Sequence, residues 1–264
     1  MLVAEIHGKY VLEARTFEDY LTSAVFGHLR YIKPGSFWDA LFDIAVSQPI
    51  ELTVITANER IRKETGCSLG SFGALNALFW PEHKEGIPDL ILHFYGNQPR
   101  SVVILIEAKL YAAKSSTGEH DQLAKYLRIL NSLQDLRPPL PSDALALAVY
   151  LTATDSRSEI IESLNQYGDC DQARQRLFHL QWQDVIRAID MTMPASELDA
   201  QILGDVRRFL HKRNLEYFSG MESASAIPFV LEIDGEFLKD ELLFDVDSIP
   251  TDLDIIDERW MHAN

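Results

Sequence analysis

The middle of the chain alternates between apolar runs and short polar breaks. Residues 88–94 read PDLILHF, residues 95–101 read YGNQPRS, and residues 102–110 read VVILIEAKL. Two apolar runs around a turn predict adjacent strands. Side chains alternate across a strand, so Val103, Leu105, Glu107 and Lys109 share one face, and Ile104, Ile106, Ala108 and Leu110 the other. Both faces stay apolar until the end, as in a central strand covered on each side. Glu107 and Lys109 therefore project together where the strand leaves the core. Asp89, Ile91 and His93 share a face of the preceding strand.

The flanking pattern predicts a mixture of helices and strands. Leu21, Val25 and Leu29 recur at helical spacing, giving an amphipathic helix over 17–31 that ends before Pro34-Gly35. Glu18 lies on its apolar side, where an unpartnered carboxylate is costly. A second helix is expected over Ser36–Ser47, a strand over Glu51–Thr56, a helical turn over Asn58–Thr65 and a first meander strand over Ala74–Trp80. Leu123, Leu127 and Leu130 make the stripe of a helix over 121–133, with Gln122 and Tyr126 one turn apart. ALALAVYLT over 144–152 reads as a buried strand, 157–175 as partly helical and Leu177–Trp182 as a short strand. Helices over 183–190 and 196–214 follow. FVLEI-DG-EFL reads as a hairpin with Asp234-Gly235 at its turn. The expected division is a domain over 1–220 and an acidic β-hairpin and tail region over 221–264.

Charge changes this picture in one place. The formal net charge is −16 and the pI about 4.8, unlike the basic face usual in nucleic-acid-binding domains. The acidity is uneven: between residues 232 and 258, eleven carboxylates face only Lys239, a net of about −10. The interleaved Phe237, Leu242, Phe244, Ile255, Ile256 and Trp260 predict docking of this region onto its own domain or another chain. Arg207, Arg208, Lys212 and Arg213 form a basic cluster. It reads either as phosphate contacts or as cations complementing a helix C-terminus. Cys67 and Cys170 stand apart with no CxxC or Cys/His pairing, so neither a disulfide framework nor a zinc site is indicated. No signal peptide or membrane-length apolar run is visible, and a cytoplasmic location is the expectation.

Asp89, Glu107 and Lys109 carry the chemistry. Phosphodiester hydrolysis needs an activated water and neutralisation of charge, and Mg²⁺ (or Mn²⁺) supplies both. Mg²⁺ prefers one or two carboxylates with waters and substrate oxygens around it. Asp89 and Glu107 are the candidate ligands, and the Ala108 carbonyl a neutral third. Lys109 is placed to orient or deprotonate the water if its pKa falls beside a dication, or to stabilise the transition state as a cation. The alternatives are a turn or cap role for Asp89, a solvated ion pair for Glu107 and Lys109, a helix-dipole acid for Glu18, and plain helix surface for Gln122 and Tyr126. His93 and His120 are read as structural.

Pro88-Asp89, the interval of 18 positions to Glu107, and Glu107-Ala108-Lys109 together resemble the signature of the PD-(D/E)XK nuclease superfamily. The resemblance covers about residues 15–155. It implies an α/β fold: a restriction-endonuclease-like αβββαβ core, a mixed sheet flanked by helices, here with helical and small β additions at the C-terminus. It also implies a metal-shell role for Glu18. Gln122 and Tyr126 match the QxxxY element of the RecB-type branch, which implies a part in positioning substrate and catalytic groups. The implied activity is metal-dependent hydrolysis of nucleic acid, with DNA the expected substrate. The segment FEDYLTSAVFGHLRYI resembles bacterial members linked to phage defence or mobile elements. A different class of function also fits: a nuclease-like, non-catalytic subunit that binds a protein partner through its acidic end.

Overall fold

A computed structural model describes residues 18–47, 54–110, 121–168 and 170–216. The chain divides into two units, 1–217 and 218–264, and the described residues all lie in the first. The expected acidic hairpin, the strand residues 51–53 and His120 fall outside them.

The central strand forms where the alternation places it. β4 (Val102–Ala108) is buried along its whole length, as is β5 (Leu145–Thr152). They pair in parallel, and β6 (Leu177–Gln181) continues the parallel set. On the other side β3 (Leu90–Tyr95) and β2 (Ala74–Phe79) add antiparallel strands. The short β1 (Val46–Ser47) closes the far edge against β6. The result is a six-stranded open mixed sheet, in the order β1-β6-β5-β4-β3-β2.

Helices cover both faces, because both faces of β4 and β5 are apolar. On one side Val102, Ile104 and Ile106 meet α1 (Glu18–Leu29), α2 (Ser36–Ile44) and α3 (Ala57–Thr65). The same layer includes α7 (Trp182–Met191) and α8 (Glu197–Lys212). On the other, Val103 and Leu105 meet α4 (Gln122–Ile129) and α5 (Arg157–Tyr167), followed in the chain by the short α6 (Cys170–Arg174). Large-to-small changes at such positions cost about 2–5 kcal/mol. Among the described residues no helix is long and apolar enough to cross a membrane.

Local chemistry sets the helix ends. Thr56 and Glu59 form a reciprocal capping box on α3, and Gly66 ends it at φ 74°. The second helix stops at Ile44 rather than Ser47. Ala45 turns extended, and Val46 and Ser47 take up register with His179 and Phe178. That pairing spans more than a hundred residues of chain, so local periodicity carries no trace of it. The helix expected over 121–133 likewise ends at Ile129, and Leu133–Asp135 is a separate 3₁₀ turn.

Candidate active site

Glu107 leaves the core at the C-terminal end of β4 and is only 1% exposed. Lys109 lies two residues on, and its N–H still bonds Leu151 O at 2.7 Å, so the strand parity holds. The ammonium sits 2.8 Å from Glu107 Oε1. Asp89, at the start of β3, accepts the Ala108 N–H on Oδ2 at 2.9 Å. The antiparallel register of β3 and β4, Leu90 opposite Ile106, brings Asp89 to this exit.

Helices from both faces complete the corner. From α4, Gln122 Nε2 donates to Glu107 Oε1 at 2.5 Å and to the Tyr126 hydroxyl at 3.0 Å. Tyr126 in turn donates to Ile87 O at 3.3 Å, tying the helix to the chain just before Asp89. From α1, Glu18 places Oε2 3.2 Å from Lys109 Nζ, while its Oε1 accepts the Leu110 N–H at 3.1 Å. Both Glu18 oxygens hold the Lys109 segment. Trp182 Nε1 adds an anchor, donating to Lys109 O at 3.1 Å.

Burial and like charge dominate the electrostatics. Desolvation pushes Glu107 up to about 7, and the neighbouring Asp89 charge adds to the rise. Asp89 is raised for the same first reason, against the lowering effect of the Ala108 N–H and of Lys109. Burial alone would depress Lys109. The carboxylates of Glu107, Glu18 and Asp89 outweigh it and hold the amine above its ordinary value. Without a cation the side chain therefore stays charged. Desolvation also raises Tyr126, with Glu107 adding to the effect, so its hydroxyl keeps its proton.

Among the described residues the corner gathers Glu18, Asp89 and Glu107 around one cation, Lys109, a formal excess of two negative charges. Glu107 Oε2 is buried with no hydrogen-bond partner among the described residues. A buried, unsatisfied carboxylate oxygen beside a second carboxylate fits a divalent cation better than an apolar interior. Among the described residues no group of three or more His, Cys, Asp or Glu is gathered to hold a metal. The pair Asp89 and Glu107 could hold a Mg²⁺ ion, which takes one or two protein carboxylates.

The basic cluster on α8 meets other partners. Arg207 Nε lies 2.8 Å from Asp190, and Arg208 pairs with Asp205. Arg213 is buried, its guanidinium over the rings of Tyr20 and Phe209. Lys212 is exposed. His93 stacks on Tyr95, with ring centroids 5.0 Å apart.

Two residues at the corner went unread in the sequence. Asp121 caps α4, accepting the Ala124 N–H at 2.9 Å, and Ser163 Oγ on α5 donates to its other oxygen at 3.0 Å. An Asp just before a helical stripe is the signal that identifies it. Tyr150 is the β5 register partner of Glu107 and donates to Glu159 at 2.7 Å. No family model, curated protein or solved structure matches the chain.

Proposed function

We propose that the chain is a metal-dependent nuclease that hydrolyses phosphodiester bonds, with DNA the expected substrate. The observation that carries this reading is convergence. Asp89, Glu107 and Lys109 meet at one strand exit, and Gln122, Tyr126 and Glu18 reach it from opposite faces of the sheet. The element order α1, β2, β3, β4, α4, β5 supports a restriction-endonuclease-like core, with α2, β1 and α3 inserted early.

Asp89 and Glu107 would hold Mg²⁺ or Mn²⁺, with the Ala108 carbonyl as the candidate neutral donor. When bound, the ion supplies charge neutralisation at the phosphate and acidifies a water ligand. The protein's own groups do the rest. Gln122 fixes the Glu107 carboxylate by donating to Oε1, and Tyr126 fixes Gln122. Glu18 and Glu107 keep the Lys109 amine protonated and aimed at the corner. There it donates to a phosphate oxygen as water forms the new P–O bond, its proton passing to solvent, and the P–O bond to the leaving nucleoside oxygen breaks, that oxygen taking up a proton.

The test is cleavage of single- and double-stranded DNA and RNA by the purified chain with Mg²⁺ or Mn²⁺. Asp89→Ala, Glu107→Ala and Lys109→Ala should each abolish it while the fold survives. Inactivity on every substrate contradicts the proposal. The run of carboxylates over 232–258 favours the second reading, a non-catalytic subunit with a basic protein partner. That reading predicts loss of a complex on deleting 232–264 and no phenotype for Lys109→Ala.

A further inference from the structure

The opposite end of the sheet carries a different kind of site. Near the N-terminal ends of β4 and β5, a cavity of about 360 Å³ is lined by Arg60, Arg100, Arg176, Glu64, Gln172 and Gln175, with 144–146 as its floor. Five residues of β4, Val102–Ile106, separate it from Glu107, about 17 Å at 3.3 Å per residue. It is therefore distinct from the corner at the other end of the strand.

Its charge is unbalanced. Arg60 Nη2 and Arg100 Nη1 share Glu64, at 3.1 and 3.9 Å. Arg176 is held by neutral acceptors, Ala146 O at 3.1 Å and Asn131 Oδ1 at 2.5 Å. Arg100 Nε donates to Asp143 O at 2.7 Å. Three guanidiniums with one carboxylate leave a formal excess of two positive charges, in a chain whose total is −16. Arg60 Nε is buried and has no hydrogen-bond partner among the described residues. A buried guanidinium N–H without an acceptor is costly. Burial depresses Arg176; Tyr167 opposes this and the nearby Arg60 adds to it.

We propose that this cavity binds the terminal phosphate of a phosphate monoester, with Arg60, Arg100 and Arg176 as the recognising groups. A phosphomonoester is a dianion at neutral pH, matching the excess charge. Guanidinium forks suit its oxygens better than point charges do. The cavity exceeds what phosphate alone fills and lies in the range of small-molecule sites, so the ligand has the size of a mononucleotide. Gln172 and Gln175 supply amides for its uncharged part.

The test is calorimetric titration of the full chain in EDTA, which leaves the metal corner without its cation. The probes are inorganic phosphate, adenosine monophosphate, adenosine, and a short oligonucleotide with and without a 5′-phosphate. The monophosphate should bind and adenosine should not. Arg60→Gln and Arg176→Gln should each weaken binding by about tenfold or more, as should the more exposed Arg100→Gln if a buried variant fails to fold. Glu64→Gln should tighten it, because it removes the competing carboxylate. Lys109→Met should leave it unchanged. Binding of the 5′-phosphorylated oligonucleotide in place of the monophosphate identifies a strand end as the source of the same group. Equal binding of adenosine and its monophosphate, or arginine variants that bind like the wild type, overturns the proposal. None of these outcomes depends on cleavage at Glu107 and Lys109.

Discussion

Lys109 Nζ lies 2.8 Å from Glu107 Oε1, two positions apart on the same face of one strand, and both side chains are nearly buried. Among the described residues the ammonium pairs with the carboxylates of Glu18 and Glu107. Lys109→Met should lower the cleavage rate by at least about a hundredfold, the loss typical when a group that stabilises transition-state charge is removed. Far-UV circular dichroism should be unchanged, since Glu107 can take up a proton once its partner is gone. Activity retained within a few-fold would remove Lys109 from the chemistry.

Glu107 makes the cation-free protein pH-sensitive. Its pKa stands at about 7 when folded, against an ordinary 4.5. Between those values the folded chain keeps a proton that the unfolded chain has released. Stability therefore falls as pH rises from about 4.5 to about 7, and the whole penalty, at most about 3 kcal/mol, is present above that window. Glu107→Gln removes it. In EDTA the variant should melt above the wild type at pH 8 and lose that advantage towards pH 4.5. A variant that melts lower at pH 8 contradicts the raised pKa.

Asp121 holds the start of the helix that carries Gln122 and Tyr126. Asp121→Ala removes the cap on Ala124 and the acceptor for Ser163. The expected cost is about 1–2 kcal/mol, read as a lower urea midpoint. Cleavage should fall as well, because Gln122 loses its fixed position. Asp121→Asn, which keeps a capping oxygen, should recover most of both.

Tyr126→Phe tests positioning without changing shape. It deletes the hydroxyl between Gln122 and Ile87 O. Stability should drop by about 1 kcal/mol. The turnover rate should fall by about tenfold with little change in KM, because the hydroxyl acts on Glu107 through Gln122. A change in KM alone would assign Tyr126 to substrate binding.

Much of this corner was legible from periodicity. The alternation through Val103, Leu105, Glu107 and Lys109 gave both the central strand and the shared face, because a strand buried on both sides leaves few exceptions to its pattern. Helical spacing made Gln122 and Tyr126 neighbours, and the resemblance to the QxxxY element implied their place at the site. Contacts made through the fold were not legible. Glu18 reaches Lys109 across 91 residues of chain, and no local pattern shows that its oxygens hold the amine and the Leu110 N–H. Tyr150 faces Glu107 only through the parallel register of β4 and β5. The basic cluster at the end of α8 read either as phosphate contacts or as cations at a helix C-terminus, because sequence shows charge and not partners; in the fold Arg207, Arg208 and Arg213 meet Asp190, Asp205 and the ring of Tyr20. Arg60, Arg100 and Arg176 are scattered in sequence and meet only at the sheet's other end.

The most direct measurement is anomalous diffraction from crystals of the full chain soaked in Mn²⁺. A peak between the carboxylates of Asp89 and Glu107, absent in Asp89→Asn crystals soaked in the same way, is the predicted result. Wild-type crystals without manganese at that corner, or with it bound only elsewhere, would contradict the proposed metal-dependent chemistry.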